Sequence, residues 1–195
     1  MTMTSDMRSP SRSVYNVPNA LTTVRFGLAI GVMVLIPMGM QFAALVLFVI
    51  AVSTDWMDGY WARKYGQVTK FGRIFDPFVD KIIICGTFIA LVEVVGSGVA
   101  SWMATTIVAR ELLVTSLRGM IEGSGGDFSA NQLGKWKMVL QCAAAITILL
   151  SLLYPATVWL GYLGQTFLWS AIALTIYSGY VYVIAAAGVL RKDVS

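Results

Sequence analysis

Asp55 and Asp58 stand three residues apart, and Asp76 and Asp80 four apart, within the stretch STDWMDGYWARKYGQVTKFGRIFDPFVDK that spans 53–81. On a helix, three- and four-residue spacings put each pair on one face. Folding the two segments as antiparallel neighbours, across a loop holding Gly66 and Gly72, brings four carboxylates together. Four anions repel strongly where solvent screening is reduced. Either nearby Arg and Lys neutralise them or hard divalent cations do. Mg²⁺ takes oxygen ligands and shares them between carboxylates and substrate phosphates, and two such ions side by side clamp a phosphorus centre during in-line displacement. The chain has no His, which excludes imidazole catalysis and His-ligated zinc. Gly59, Ala62 and Gly72 are small residues interleaved with the acids. They permit close approach of a ligand, or equally serve ordinary small-residue helix packing. Arg63 is placed to hold a diphosphate oxygen.

The surroundings of this segment are apolar. Of 195 residues, 57% are hydrophobic and 12% charged, about half the roughly 25% charge of a soluble domain. Apolar runs approach or exceed the roughly 20 residues needed to cross a bilayer. The expected fold is an all-α integral membrane protein with six transmembrane helices at about 20–39, 41–64, 74–95, 99–121, 132–153 and 165–190. EGSGGDFSAN, between the fourth and fifth, reads as a loop, and YPATVWLGYLGQ as the other turn region. Residues 1–17 form a polar N-terminal segment, 18–192 the six-helix domain and 193–195 a tail. The N-terminal segment lacks the apolar core and cleavage site of a signal peptide. Cys85 and Cys142 sit apart in apolar runs, where thiols fill space.

Charge sets the orientation. All 14 Lys and Arg lie on or towards the side shared by the termini and the 2–3 and 4–5 links, and the opposite loops near 40, 96–100 and 154–164 have none. By the positive-inside rule both termini are cytoplasmic, and the acidic cluster lies at the cytoplasmic membrane boundary. Trp102, Tyr154, Trp159 and Tyr162 then form an outer aromatic belt. Arg8, Arg12, Arg191 and Lys192 read as topology signals and lipid-headgroup contacts. Arg25, Arg110, Arg118, Lys135 and Lys137 instead recur inside helical segments. An intramembrane charge costs about 2.5–3.5 kcal/mol and usually marks a polar cavity.

The string Asp55-x2-Asp58-Gly59-x2-Ala62-Arg63-x8-Gly72-x3-Asp76-x3-Asp80, eight fixed positions over 26 residues, resembles the signature of the CDP-alcohol phosphotransferases. The resemblance implies a six-helix membrane fold, a homodimer as the family's assembly, and transfer of a phosphatidyl-type group from a CDP-linked lipid to an alcohol with release of CMP. It implies that Asp55, Asp58 and Asp76 are principal ligands of Mg²⁺ or Mn²⁺, two ions being expected. Asp80 is then the general base for the acceptor hydroxyl, close to the second ion. Asp58, Gly59, Ala62, Arg63 and Gly72 would line the CDP-lipid site. Spacing alone supports only a four-carboxylate metal site.

NVPNALTTVRFGLAI (16–30), IVARELLVTSLRG (107–119) and GKWK (134–137) resemble segments of the family's phosphatidylglycerophosphate synthase branch, which implies CDP-diacylglycerol as donor and glycerol 3-phosphate as acceptor. An acceptor that carries its own phosphate needs cations, and Arg110, Arg118 and Lys135 or Lys137 are the expected pocket, Arg gripping phosphate bidentately and Lys as a point charge. The competing reading has Arg110 pairing with Glu111 or Asp80 to neutralise the interior. Adjacent helical residues diverge, which weakens an Arg110–Glu111 pair and leaves Glu111 to orient another cation. Asn19, Thr22 and Arg25 share one face of the first span. Asn19 reads as a helix cap that also reaches CDP with Thr22. Gly27-x3-Gly31 reads as a packing surface, either within the chain or between two copies.

Other acceptors, inositol phosphate or serine among them, remain open within the family. A divalent-cation transporter is the reading from another class, but transport sites sit near the midplane on broken helices, whereas these acids lie at helix ends. Nothing points to nucleic acid. The absence of an import signal favours a bacterial inner membrane.

Overall fold

The computed structural model describes residues 17–65, 70–123 and 132–192, with side chains over 21–54, 75, 77–120 and 134–188. The described residues form six helices: α1 (Val17–Leu35), α2 (Gln41–Tyr65), α3 (Lys70–Val92), α4 (Ser101–Gly123), α5 (Gln132–Leu153) and α6 (Val158–Lys192). Each packs mainly on two others, so that the main contacts close a ring in the order α1, α2, α5, α6, α4, α3 and back to α1. Phe48, Phe88, Leu91, Ile107, Ile148 and Leu168 fill its interior and are almost wholly buried. The outer faces are apolar as well, with Phe42, Trp102, Trp159, Tyr162 and Trp169 exposed, a surface suited to a non-aqueous covering. Among the described residues, two helical stretches, Gly134–Leu153 and Val158–Gly188, are long and apolar enough to cross a membrane. Helices α3 and α4 carry ionisable residues within their length.

The first five expected spans fall on α1 to α5 within a few residues, and three local expectations are corrected. Helix α3 begins at Lys70, so Gly72 lies in its first turn instead of in a connecting loop, and Pro77 falls inside the helix; Gly66 lies outside the described residues. Helix α6 begins at Val158, so most of YPATVWLGYLGQ is helical. One glycine of this stretch serves close packing: a Cβ at Gly164 would stand 3.0 Å from Ile148 Cγ1 and 3.3 Å from the Ile148 backbone nitrogen on α5.

The third correction bears on the site. Helices α2 and α3 touch only slightly, and each packs mainly on α1. Two contacts explain why α1 serves both. A Cβ at Gly31 would meet Leu47 Cδ1 of α2 at 3.0 Å, so this glycine brings α1 close to α2 within one chain, whereas a Cβ at Gly27 would meet nothing within 4 Å. On the other side, Arg25 of α1 donates from Nη1 to Asp80 Oδ1 of α3 at 3.2 Å. A cation from α1 thus bonds one of the acids that head α3.

At the opposite end of the ring the links are short. Gly39, Gly96 and Gly98 take φ of 76°, 89° and 67°, the left-handed region that other residues avoid. Gln165 Nε2 of α6 donates to the Ser97 carbonyl at 3.1 Å, tying the α3–α4 turn to the start of α6.

A Gly164→Ala variant places its new methyl against backbone that has little room to yield, and is expected to lose about 1–3 kcal/mol of stability. Gly27→Ala meets open space and gains helix propensity of roughly 1 kcal/mol. Thermal unfolding in detergent should therefore lower the midpoint for Gly164→Ala alone; equal midpoints would contradict the α5–α6 contact.

Candidate active site

The charged residues collect at one end of the ring because successive helices alternate in direction. Arg25 lies early in α1, Asp55 and Asp58 late in α2, and Asp76 and Asp80 early in α3. Arg110 lies near the middle of α4 and Arg118 late in it, and Lys137 lies early in α5. The side chains of Asn19, Asp55, Asp58, Gly59, Ala62, Arg63, Gly72 and Asp76 are outside the described residues. Thr22 is buried at 2% exposure, one turn from Arg25, which is buried at 1%. Removing a guanidinium from water is costly unless it is paired, and Asp80 supplies a partner. The Asp80 side chain keeps 26% exposure while making that bond. Phe26 and Phe75, with ring centroids 6.0 Å apart, pack α1 to α3 beside the pair.

As a chemical type, the four carboxylates that the sequence places late in α2 and in the first half of α3 would suit a hard divalent cation, which prefers anionic oxygen to nitrogen or sulfur. Asp80, part-exposed beside Arg25, carries one such carboxylate.

The second feature is a cation cluster around one carboxylate. Arg110 Nη1 donates to Glu111 Oε1 at 3.2 Å, and Lys137 Nζ of α5 bonds the same oxygen. Arg110 Nε and Nη2 both donate to Ser178 Oγ of α6, at 3.2 and 3.1 Å. Its guanidinium carbon lies 5.4 Å from the centre of the Tyr182 ring, within cation–π range. Lys81 of α3 is within electrostatic reach of Arg110 and Arg118. Arg118 Nε is buried with no hydrogen-bond partner among the described residues. Arg110 and Lys137 thus share Glu111, with Lys81 and Arg118 within electrostatic reach of Arg110, while Asp80 near Lys81 is engaged by Arg25. Excess positive charge at a partly dry site favours an anionic ligand. A groove of about 530 Å³ between α3 and α4 reaches this cluster, with Lys81 and Glu111 in a largely apolar wall that includes Phe75, Phe78, Cys85 and Leu112.

Of the expected acceptor pocket, Arg110, Arg118 and Lys137 come to one place. Lys135 is exposed, as its two-residue offset from the buried Lys137 dictates. The weak pairing expected between Arg110 and Glu111 is corrected, since the two do bond. Their Cβ atoms diverge, but Lys137 holds the Glu111 carboxylate and Ser178 holds the guanidinium, so the long side chains converge beyond the helix surface. The expectation that Glu111 orients another cation is met by Lys137. Sequence reasoning missed Ser178, Tyr182 and Lys81. A signal was present in α6, where Thr175, Ser178 and Tyr182 follow the i, i+3, i+7 spacing of a single polar stripe; Lys81 was masked by its place beside the acids.

Residues 15–177 match the family model described as CDP-alcohol phosphatidyltransferase. A Bacillus subtilis protein named CDP-diacylglycerol--glycerol-3-phosphate 3-phosphatidyltransferase is 35% identical over 185 residues, covering 87% of this chain and 94% of the relative. Proteins of the same name from Rickettsia typhi and Salmonella choleraesuis are 36% and 32% identical, covering 86% and 89% of this chain and 94% and 96% of the relatives.

Glu111→Gln leaves the clustered cations without their shared carboxylate. Loss of one partner from a largely buried pair costs about 3–5 kcal/mol, so the thermal midpoint in phosphate-free detergent buffer should fall. Inorganic phosphate should recover more of that loss in the variant than it adds to the unaltered protein. An unchanged midpoint would contradict the central position of Glu111.

Proposed function

Because this chain belongs to the CDP-alcohol phosphatidyltransferase family, we propose that it transfers the phosphatidyl group of CDP-diacylglycerol to glycerol 3-phosphate, giving phosphatidylglycerophosphate and CMP. Family membership makes it a transferase of a membrane-bound family. The choice of acceptor rests on the relatives' shared name and, above all, on the cations of α4 and α5 gathered around Glu111. An acceptor with a phosphate of its own matches that excess of positive charge. Serine would leave it unanswered.

The roles divide between the two features. Asp55, Asp58, Asp76 and Asp80 hold the divalent ions, Mg²⁺ or Mn²⁺, on which this family generally depends. When bound, the ions polarise the diphosphate and stabilise the leaving CMP. Asn19, Thr22, Asp58, Gly59, Ala62, Arg63 and Gly72 line the donor's CDP. Arg110, Arg118 and Lys137 receive the acceptor phosphate, with Lys135 at the outer edge. Asp80 takes the proton of the acceptor hydroxyl as that oxygen attacks the phosphorus bearing the lipid and the bond to CMP breaks. Arg25, bonded to Asp80, orients the carboxylate for this step. No covalent enzyme intermediate is needed.

The membrane setting follows from the same reading. All six helices of residues 18–192 span the bilayer, with segments 1–17 and 193–195 and both termini in the cytoplasm. The active site faces a bacterial cytoplasm at the membrane boundary, where a soluble acceptor meets a lipid donor. The apolar outer faces contact membrane lipids, and two chains associate as a homodimer.

Purified protein in detergent with Mg²⁺ and CDP-diacylglycerol should release CMP when offered glycerol 3-phosphate, and not with serine. Release only with inositol phosphate would overturn the acceptor, and none with any acceptor would sink the transferase reading. Asp80→Asn should nearly abolish turnover while sparing CDP-lipid binding, and substantial residual activity would reject Asp80 as the base. Arg110→Ala removes a charge-assisted contact worth roughly tenfold or more in affinity, so KM for glycerol 3-phosphate should rise with little change for the donor.

A further inference from the structure

Helix α6 lies outside every motif that marks the family in this chain, yet it makes the closest polar contacts to the central cation. Ser178 Oγ accepts from two nitrogens of Arg110, at 3.2 and 3.1 Å. Ser178 in turn donates to the Thr175 carbonyl at 3.1 Å, so its lone pairs are directed away from its own helix and towards the guanidinium. Gly179 is the next residue, and a Cβ there would stand 3.3 Å from Arg110 Cγ. The missing side chain gives the aliphatic stem of Arg110 its path along α6. One turn further on, the Tyr182 ring lies 5.4 Å from the guanidinium carbon. Tyr182 is buried at 4% exposure, and Ser178 is fully buried.

A guanidinium has five N–H groups. Ser178 takes two and Glu111 one, which leaves one N–H on each terminal nitrogen without a protein acceptor among the described residues. A fork with one free N–H on each terminal nitrogen matches the bidentate geometry of phosphate. Arg has long, rotamer-rich side-chain freedom, and ordering it costs free energy at the moment of binding unless the protein has met that cost beforehand.

We propose that Ser178, Gly179 and Tyr182 are positioning residues that hold the Arg110 guanidinium in advance for the phosphate of the acceptor, so that the last helix sets affinity for glycerol 3-phosphate. This rests on the acceptor pocket proposed above. The three residues touch Arg110 and not the reacting atoms. Their effect therefore appears in acceptor binding, with the donor site and the chemical step left as they are.

Steady-state CMP release, with acceptor and donor varied separately, tests the cradle. Ser178→Ala should raise KM for glycerol 3-phosphate about tenfold, the worth of a hydrogen bond to a charged group, with kcat and the donor KM within about twofold. Ser178→Thr keeps the hydroxyl and should restore most of the affinity. Gly179→Ala crowds the Arg110 stem while leaving Ser178 in place, and should raise the same KM, which carries the test if Ser178→Ala does not purify folded. In an Arg110→Ala background, Ser178→Ala should add nothing further. Equal losses in kcat and both KM values would mean packing alone and would overturn the cradle. An unchanged acceptor KM in Ser178→Ala, with a raised one in Arg110→Ala, would reject the cradle and leave the pocket standing. An unchanged KM in Arg110→Ala would reject the pocket itself.

Discussion

A buried guanidinium carries a charge that water no longer stabilises, and two of them, on Arg25 and Arg110, explain much of how these helices are arranged. Each must find oxygen and aromatic partners inside an otherwise apolar bundle. Arg25 finds Asp80 across the α1–α3 contact. Arg110 finds Glu111 on its own helix, and Ser178 and Tyr182 on α6. Both pairings join helices that adjoin in the closed ring, α1 with α3 and α4 with α6. The apolar core supplies the bulk of the packing, and these two cations specify which polar faces meet.

The arrangement separates two tasks at one end of the bundle. The acids lie on α2 and α3, with α1 packed against both and Arg25 beneath Asp80. The cations lie on α3, α4 and α5 around Glu111. A transferase that joins two anionic substrates must bind both without letting their charges repel one another out of the site. In the proposed reading, divalent ions on the acidic side receive the diphosphate and a cation cluster receives the acceptor phosphate. Asp80 stands where the two sides meet, since it bonds Arg25 and lies within electrostatic reach of Lys81.

Much of this was legible before any coordinates. Apolar runs located five helices to within a few residues, because that signal is local and periodic; the side chains of Asp55, Asp58 and Asp76, read as paired from their spacing, lie outside the described residues. The start of α6 was placed too late, at 165 instead of Val158. Gly164, inside the helix, serves close packing on Ile148, a contact that no local pattern reveals. The separation of α2 and α3 was also invisible, since a short link suggests a packed hairpin and nothing local reveals that α1 takes up their contact. Arg110 and Lys137 were readable as intramembrane charges. Their joint partner was not, because spacing rules compare Cβ positions, whereas Arg, Glu and Lys meet at the ends of long side chains. Ser178 was overlooked for a related reason: a lone hydroxyl in an apolar helix gains meaning only once the helix opposite is known.

The most direct test is an experimental structure with glycerol 3-phosphate and Mg²⁺ bound. Phosphate oxygens within hydrogen-bond distance of Arg110 and Lys137, with the acceptor hydroxyl directed at Asp80, are the expected result. Phosphate density away from α4 and α5, for instance beside Arg63 of α2, would contradict it.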